Sequence, residues 1–296
     1  MAVTVIATGG TIDCVRDGGV LKVGEKDLTP YIGRHERVSP FRILSENVTP
    51  AHWTRLVETV RGIPSGGVLI THGSDTLPYT AAALAFCLAD YGRPVVLTAA
   101  DAPLDEPDSN AAANLAGAMR VIDSGVPGVY VSYARRGREA DIFFGARMNE
   151  ASDFTGVYTA PHDLLYAADG GRTVYGKPLT GAPLPPRFAP VAAYRFVPGV
   201  TYSAPPEVPV LIMGTHSGTA AEAELTRLAR RGPVWLAGGT AGLVYESKDN
   251  VRGRVRFLDN IAWPAAYIKT SLVYGTYAGE AAAEPMTENR TGEFFA

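Results

Sequence analysis

The sequence predicts an α/β protein with a larger N-terminal domain, built on a doubly wound and mostly parallel sheet, and a smaller C-terminal α/β domain. Short β-branched runs alternate with helical patterns between residues 3 and 133, which is typical of parallel sheets. Five prolines then fall within residues 177–190, where neither a helix nor a central strand can form. A second strand and helix alternation follows. We therefore divide the chain into an N-terminal domain at 1–176, a proline-rich linker at 177–207 and a C-terminal domain at 208–296.

Each predicted element has its own pattern. Thr49 and Pro50 have the residue types that begin a helix, and Trp53, Leu56 and Val60 lie on one face of it. After the first strand, at Val3, the further strands are predicted at 41–44, 68–71, 93–98, 128–133, 141–144, 172–175, 208–213 and 234–237. The further helices are predicted at 81–90, 109–124, 219–231 and 263–274. Residues 13–27 are predicted to be a mobile loop over a crevice, and residues 278–296 a frayed tail.

Composition excludes several classes of protein. The 296 residues carry a net charge of −3 with acids and bases interspersed, so the chain has no basic stripe for a nucleic acid. The two cysteines and five histidines show no metal-binding spacing, and no apolar run is long enough for a membrane helix. We expect a cytoplasmic protein that needs no metal or other cofactor and binds neither nucleic acid nor membrane.

Two similar stretches predict the functional site. The strands beginning at Val3 and Val68 both end in glycine and hydroxyl residues, reading Ala-Thr-Gly-Gly-Thr-Ile at 7–12 and Ile-Thr-His-Gly-Ser-Asp-Thr at 70–76. Ligands of open α/β sheets bind at the carboxyl ends of the strands. If the strands are neighbours, both loops line one crevice. The side chains they would bring there are Thr8, Thr11, Ser74, Asp75 and Thr76.

These two motifs, in this order and spacing, resemble the signatures of the bacterial-type L-asparaginase/glutaminase family. The resemblance implies an amidohydrolase that works as a homodimer or homotetramer on a small amino-acid-like substrate. By position, Thr11 matches the nucleophile that forms an acyl-enzyme, Ser74 the family's second threonine and Asp75 the adjacent aspartate. Ser45 and Glu46 match the residues that hold the substrate's α-carboxylate and α-ammonium groups.

Glycines and backbone groups complete the expected site. Gly10 lets the substrate approach closely and leaves N–H groups for an oxyanion hole. The carbonyl of Ala100 matches the group that receives the leaving amide. Asn110 stands where the family has an aspartate that contacts the substrate. His72 is expected to be a packed side chain, and Cys14 has no histidine placed to activate it.

The sequence departs from the family in its activating machinery. Our alignment places Glu150 where the family has its relay lysine, and residues 27–176 contain no lysine. An anion there would raise the pKa of the nucleophile, unless Glu150 itself is the base. The loop at 13–27 also lacks the family's tyrosine.

These departures leave three hypotheses. The first is an amidohydrolase with an altered substrate or chemistry, acting on an aspartyl or asparaginyl derivative in secondary metabolism. The second is a catalytically inactive amino-acid-binding or regulatory homologue. The third, an amidotransferase acting on aminoacyl-tRNA, is disfavoured by the lack of a basic face.

Overall fold

The computed structural model describes residues 2–152, 155–160, 181–240, 242 and 244–295. The predicted strand at 172–175 lies outside these residues. Within them, the N-terminal half forms a large sheet flanked by helices, as the alternating pattern predicts. Its strands are β1 (Val3–Ala7), β2 (Val15–Asp17), β3 (Val20–Lys22), β4 (Glu36–Val38), β5 (Gly67–Thr71), β6 (Pro94–Thr98), β7 (Gly128–Ala134) and β8 (Ala140–Phe144). Its helices are α1 (Thr29–Ile32), α2 (Pro50–Gly62), α3 (Leu77–Cys87) and α4 (Ala111–Ser124).

The large sheet has six strands in the order β4-β1-β5-β6-β7-β8, parallel except for the antiparallel pair β7 and β8. Every residue of β1, β5 and β6 is buried, because helices cover both faces of a doubly wound sheet. Helix α2 begins at Pro50 as predicted, and the backbone N–H of Thr49 donates to Nδ1 of His52 at 3.1 Å. Its predicted apolar face, including Trp53 and Leu56, is buried.

The C-terminal half forms a second sheet of four parallel strands in the order β12-β11-β10-β9. Its edge strand β9 lies inside the segment 177–207 that the prolines had marked as a linker. Residues 196–209 hold no helix between β9 and β10. These strands are β9 (Ala192–Arg195), β10 (Val210–Met213), β11 (Val234–Ala237) and β12 (Arg256–Leu258). The helices of this half are α5 (Glu222–Ala229), α6 (Glu246–Asp249), α7 (Trp263–Thr276) and α8 (Ala283–Thr287).

Helices α3 and α7 join the two sheets through one continuous apolar cluster. Tyr79 of α3 and Tyr267 of α7 meet edge to face at 5.9 Å between ring centroids. The proline-rich segment is docked on both helices, since Leu184 donates a backbone hydrogen bond to Phe86 and Ala189 donates one to Ser271. None of the described helices is long and apolar enough to cross a bilayer.

Three sequence predictions are wrong in their local structure. The strand expected at 41–44 lies at Glu36–Val38, and only Ile43 keeps a bridge, to Gly9. The predicted loop at 13–27 contains the hairpin β2–β3, whose turn has positive φ at Gly18 and Gly19.

The third wrong prediction is the frayed C-terminal tail. Nζ of Lys269 on α7 donates to Oε1 of Glu293 at 2.6 Å, and both side chains are fully buried. The carboxylate of Glu293 also accepts backbone hydrogen bonds from Arg290 and Thr291. A buried charge pair this well satisfied fixes the tail against α7, and net charge and apolar periodicity do not reveal it.

Candidate active site

The two motif loops begin at the same level of the large sheet. Strands β1 and β5 are hydrogen-bonded neighbours, and their last residues, Ala7 and Thr71, are paired in register. The hydroxyl of Thr8 donates to the carbonyl oxygen of Thr71 at 2.8 Å, so Thr8 holds the strand ends together and is itself buried. The two loops that were predicted to line one crevice therefore lie side by side at the carboxyl ends of these strands.

Gly10 is the point at which the loops touch. Its backbone has φ 88° and ψ 173°, a conformation that is essentially restricted to glycine. A Cβ atom at this position would lie 2.4 Å from the backbone nitrogen of Gly73 and 2.4 Å from the carbonyl oxygen of His72. The first motif thus packs against the backbone of the second. Thr11 directly follows this contact in the chain, and its side chain is half exposed.

Ser45 lies under the second motif. A Cβ atom on Gly73 would be 2.4 Å from Oγ of Ser45, and the hydroxyl of Thr76 donates to the carbonyl oxygen of Ser45 at 2.9 Å. Ser45 is buried, whereas the next residue, Glu46, is exposed. The loop predicted to bind the substrate's α-carboxylate and α-ammonium groups is therefore part of the same cluster of loops.

Asp13 is a site residue that the sequence motifs did not single out. It ends the 3₁₀ turn Thr11–Asp13, is 1% exposed and accepts a hydrogen bond from Oγ1 of Thr71 at 2.8 Å. Its other oxygen accepts from Nη2 of Arg37 at 3.0 Å and from the backbone of Lys26 at 3.3 Å. The sequence contains one signal for this role. The carboxylate of Asp13 directly follows Ile12, which is buried, and an unpaired charge at such a position would be costly.

Ser74 and Asp75 begin the loop that leads into α3. The hydroxyl of Ser74 donates to Oδ1 of Asp75 at 3.3 Å, and the phenol of Tyr158 donates to the backbone carbonyl of Ser74 at 2.6 Å. Burial raises the pKa of Tyr158 far above its usual range, so this phenol stays neutral and acts only as a donor. The carboxylate of Asp75 is exposed and can receive a ligand.

A cavity of about 920 Å³ opens beside this loop and extends to the second sheet. Its acidic groups differ in how they are paired. Asp101 accepts from Nε of Arg136 at 3.1 Å, and Glu150 is ion-paired with Arg195. Asp75 has no cationic partner among the described residues. Up to residue 160 the lining includes Ser74, Asp75, Asp101, Tyr133, Glu150 and Tyr158, and after residue 180 it includes Arg195, Met213 and Trp263.

Glu150 lines this cavity, with both of its carboxylate oxygens occupied. Oε1 accepts from the phenol of Tyr79 at 2.6 Å, and Oε2 accepts from Nη2 of Arg195. Burial and the carboxylate together raise the pKa of Tyr79, which keeps that phenol protonated. Both oxygens of Glu150 are therefore already used as hydrogen-bond acceptors. This arrangement makes Glu150 a weaker candidate for the base than the sequence alone indicated.

Asn110 and Ala100 lie near the end of β6, and both are buried. The amide of Asn110 donates to the carbonyl oxygen of Ala134 at 2.8 Å and accepts from the backbone of Asp101 at 3.0 Å. Asn110 therefore orients the loop that contains Asp101, and its side-chain amide is hydrogen-bonded to backbone groups. Asn114, which lies in neither motif, holds the carbonyl of Ala99 in the same way at 2.7 Å.

His72 and Cys14 are structural, as expected. Nδ1 of His72 bonds the carbonyl of Gly73 at 2.8 Å, and Nε2 bonds the hydroxyl of Thr80 at 3.0 Å. Burial lowers the pKa of His72 to about 4. Burial also raises the pKa of the Cys14 thiol, which makes it a poor nucleophile. The described residues contain no cluster of His, Cys, Asp and Glu suited to a metal ion.

Fold and site together define an α/β protein whose candidate site lies at the carboxyl ends of β1 and β5. A sequence profile described as "Asparaginase, N-terminal" matches residues 2–175, which is more than half of the chain. The protein therefore belongs to the asparaginase family.

Solved structures share the fold across the whole chain. The thermostable L-asparaginase from Thermococcus kodakarensis superposes with a TM-score of 0.84 at 24% identity, covering 100% of both chains. L-asparaginase I from Vibrio cholerae gives 0.78 at 20% identity, covering 100% of this chain and 99% of that one. At these identities the likeness shows the fold alone.

Curated relatives share a part of the sequence. One glutamyl-tRNA(Gln) amidotransferase subunit, from Pyrococcus horikoshii, is 39% identical over 142 residues, which are 44% of this chain and 32% of that protein. Its counterpart from Pyrococcus abyssi is 40% identical over the same shares. The chain thus matches about a third of the length of these relatives.

Proposed function

We propose that the protein hydrolyses the side-chain amide of an asparagine-like or aspartyl compound, with Thr11 as nucleophile. The single observation that supports this most strongly is the packing of Gly10 on the His72–Gly73 backbone, because it joins the loop of Thr11 to the loop of Ser74 and Asp75. Membership of the asparaginase family supports the same reaction type.

In this proposal each group has one task. The Thr11 hydroxyl attacks the side-chain carbonyl carbon, the C–N bond breaks, and water hydrolyses the resulting ester. Backbone N–H groups of the Gly9–Gly10 turn face the oxyanion. Asp75, with no cationic partner in the described part of the chain, binds the α-ammonium group together with Glu46, and Ser45 binds the α-carboxylate. Ser74 passes a proton between Thr11 and the leaving nitrogen.

Glu150 takes no part in the proton transfers of this proposal. Its two oxygens are held by Tyr79 and Arg195, so it positions these groups and takes no proton from Thr11. The proton of Thr11 then leaves through the hydroxyl of Ser74, which itself donates to Oδ1 of Asp75 at 3.3 Å. We also propose, from the family, that the protein is a homodimer or homotetramer.

The test is ammonia or aspartate release by the whole chain. Thr11→Ala is expected to abolish turnover while the thermal unfolding temperature stays close to that of the wild type. Thr201→Ala changes an exposed threonine outside the cavity and serves as the control. Full activity of Thr11→Ala would refute the assignment of the nucleophile.

A catalytically inactive amino-acid-binding homologue is the alternative, favoured by the carboxylate at position 150. Calorimetry with aspartate, asparagine, glutamate and glutamine separates the two. Binding without ammonia release by the wild type would support the inactive homologue.

An ammonia-supplying role in amidotransfer is favoured by the identity of 39% to the amidotransferase subunit from Pyrococcus horikoshii. The measurement is ammonia release from glutamine against asparagine. A preference for glutamine that depends on an added protein partner would support this role over free amide hydrolysis.

A further inference from the structure

Arg195 is a cation in the cavity that the proposed chemistry at Thr11 does not use. It is the last residue of β9, the edge strand of the second sheet, and its side chain is 56% exposed. It reaches across to Glu150, which follows the large sheet, and its guanidinium lies 6.0 Å from the ring centroid of Trp263. Arg195 therefore brings a positive charge to the cavity that Ser74 and Asp75 also line.

The guanidinium of Arg195 has N–H donors that no described residue accepts from. Its Nη2 is bound to Oε2 of Glu150, and the structure gives the group no other hydrogen-bond acceptor among the described residues. The other oxygen of Glu150 accepts from Tyr79, so the carboxylate is fixed at both ends and orients the arginine. An arginine held in this way can still donate two parallel hydrogen bonds to a second carboxylate.

The cavity is lined by groups of opposite charge that come from different parts of the chain. Asp75 is its carboxylate without a guanidinium partner in the described part of the chain, and Arg195 is its exposed cation, contributed by the other half of the chain. The volume of about 920 Å³ is near the upper end of the range of about 300–1,000 Å³ that holds drug-sized ligands. The cavity is lined by Ser74 and Asp75 of the second motif loop and not by Thr11, so a single small amino acid held at Thr11 and Asp75 would leave the Arg195 and Trp263 wall without contact.

We infer that the leaving group of the substrate is an amine that carries its own carboxylate, so that the substrate class is β-aspartyl-linked amino acids. This inference rests on the proposed function. The aspartyl ammonium group binds Asp75, the scissile carbonyl lies at Thr11, and the far carboxylate binds Arg195. Thr11 Oγ1 forms an ester with the β-carbonyl carbon as the C–N bond breaks. The amino acid leaves with the transferred proton, and water cleaves the ester to release aspartate.

The experiment compares β-aspartyl-glycine with β-aspartyl-glycinamide, which differ only in the charge of the far end. Aspartate release is followed by chromatography, and the readout is the ratio of kcat/KM for the two substrates. The wild type is expected to favour the acid by about 10-fold or more, the discrimination that a charge-assisted hydrogen bond provides. Arg195→Met is expected to bring the ratio close to one, and Arg195→Lys to restore part of it.

Two further variants separate Arg195 from its surroundings. Arg195→Met with Glu150→Gln removes the unpaired carboxylate and is also expected to lose the ratio, which excludes simple repulsion by Glu150. Arg187→Met removes an exposed arginine eight residues earlier on the same segment and is expected to keep the ratio. A ratio near one in the wild type, or a ratio that survives Arg195→Met, would overturn the inference.

Failure of the inference is distinguishable from failure of the proposed function. Release of aspartate from asparagine with no discrimination between the two dipeptides overturns the inference alone. If no aspartyl amide is hydrolysed, the proposed function fails, and calorimetry with the two dipeptides then decides the role of Arg195. Tighter binding of the acid that is lost in Arg195→Met supports its role in recognition, and equal binding refutes it.

Discussion

Thr71 Oγ1 donates a hydrogen bond to Oδ2 of Asp13 at 2.8 Å, and this bond ties the turn that begins at Thr11 to the last residue of β5. Asp13 is buried, and its other oxygen is ion-paired with Arg37, the central residue of the edge strand β4. One carboxylate thereby connects three adjacent strands of the large sheet at the level of the candidate nucleophile. Because Asp13 lies two residues after Thr11, a substitution of Asp13 is expected to affect the position of Thr11 through the backbone of the turn.

Asp13→Asn should therefore lower both activity and stability. The amide keeps the shape but leaves the largely buried guanidinium of Arg37 without its buried anion, at a cost of about 3 kcal/mol. We expect kcat to fall more than KM rises, because the turn that carries Thr11 loosens while Asp75 is untouched. Urea unfolding and steady-state kinetics measure the two effects. Arg42→Met breaks the exposed pair with Glu25 and is the control, with an expected cost below about 1 kcal/mol. A loss in Asp13→Asn no larger than in this control would contradict the role given to Asp13.

Gly10→Ala is expected to destabilise the protein and to abolish activity. The backbone conformation alone costs about 1–3 kcal/mol for a residue with a side chain, and the new Cβ collides with the backbone of Gly73. Gly19→Ala is the matched control, since Gly19 has φ of 83° but no atom within 4 Å of the added Cβ. Chemical denaturation should separate the two variants by at least about 1 kcal/mol, the lower bound for overpacking. Equal losses would show that the two motif loops do not need their close contact.

Stability should fall on acidification because of His72. Its pKa is lowered to about 4 in the folded protein, whereas the unfolded chain has the ordinary value near 6.5. Between these values the unfolded state binds a proton that the folded state does not, so the free energy of unfolding rises with pH. About 3 kcal/mol is gained from pH 4 to pH 6.5 through this group. His72→Gln should flatten that part of the curve of urea unfolding against pH. An unchanged slope would mean that other groups carry the acid dependence.

The pair of Lys269 and Glu293 should be strongly coupled. Each single variant, Lys269→Met or Glu293→Gln, leaves a buried group unpaired and should cost about 3–5 kcal/mol. The double variant should cost clearly less than the sum of the two, because it removes both buried charges. The exposed pair of Lys22 and Asp17 is the control, with an expected coupling below about 1 kcal/mol. Additive losses in the buried pair would show that the C-terminal tail is held by other contacts.

Local patterns predicted much of the architecture. The apolar runs at β5, β6 and β11 and the capping residues of α2 are signals within a few positions of the chain, and the structure confirms them. Hairpin β2–β3 was missed although Gly18 and Gly19 are a turn signal, because its strands are short and exposed and have no apolar face. The strand at Glu36–Val38 was missed for a related reason, since its residues are largely exposed at the sheet edge.

The candidate site was predicted from the residues that share a motif, and it was missed where residues meet only in space. Thr11 and Asp75 could be named because each lies in a glycine-rich strand end. Arg195 follows the nearest of these motifs by more than a hundred positions, and only the packing of β9 beside the large domain brings it to Glu150.

By itself the sequence determined the α/β class, the two motif loops and the candidate nucleophile, because these depend on periodicity and on glycines at strand ends. Tertiary structure alone decided that Asp13 ties the turn beginning at Thr11 to β5, that Glu150 is paired with Tyr79 and Arg195, and that the tail is folded onto α7. The physical reason is that the partner of a buried charge is chosen by which elements pack together, and a long-range ion pair leaves no periodic trace in the chain.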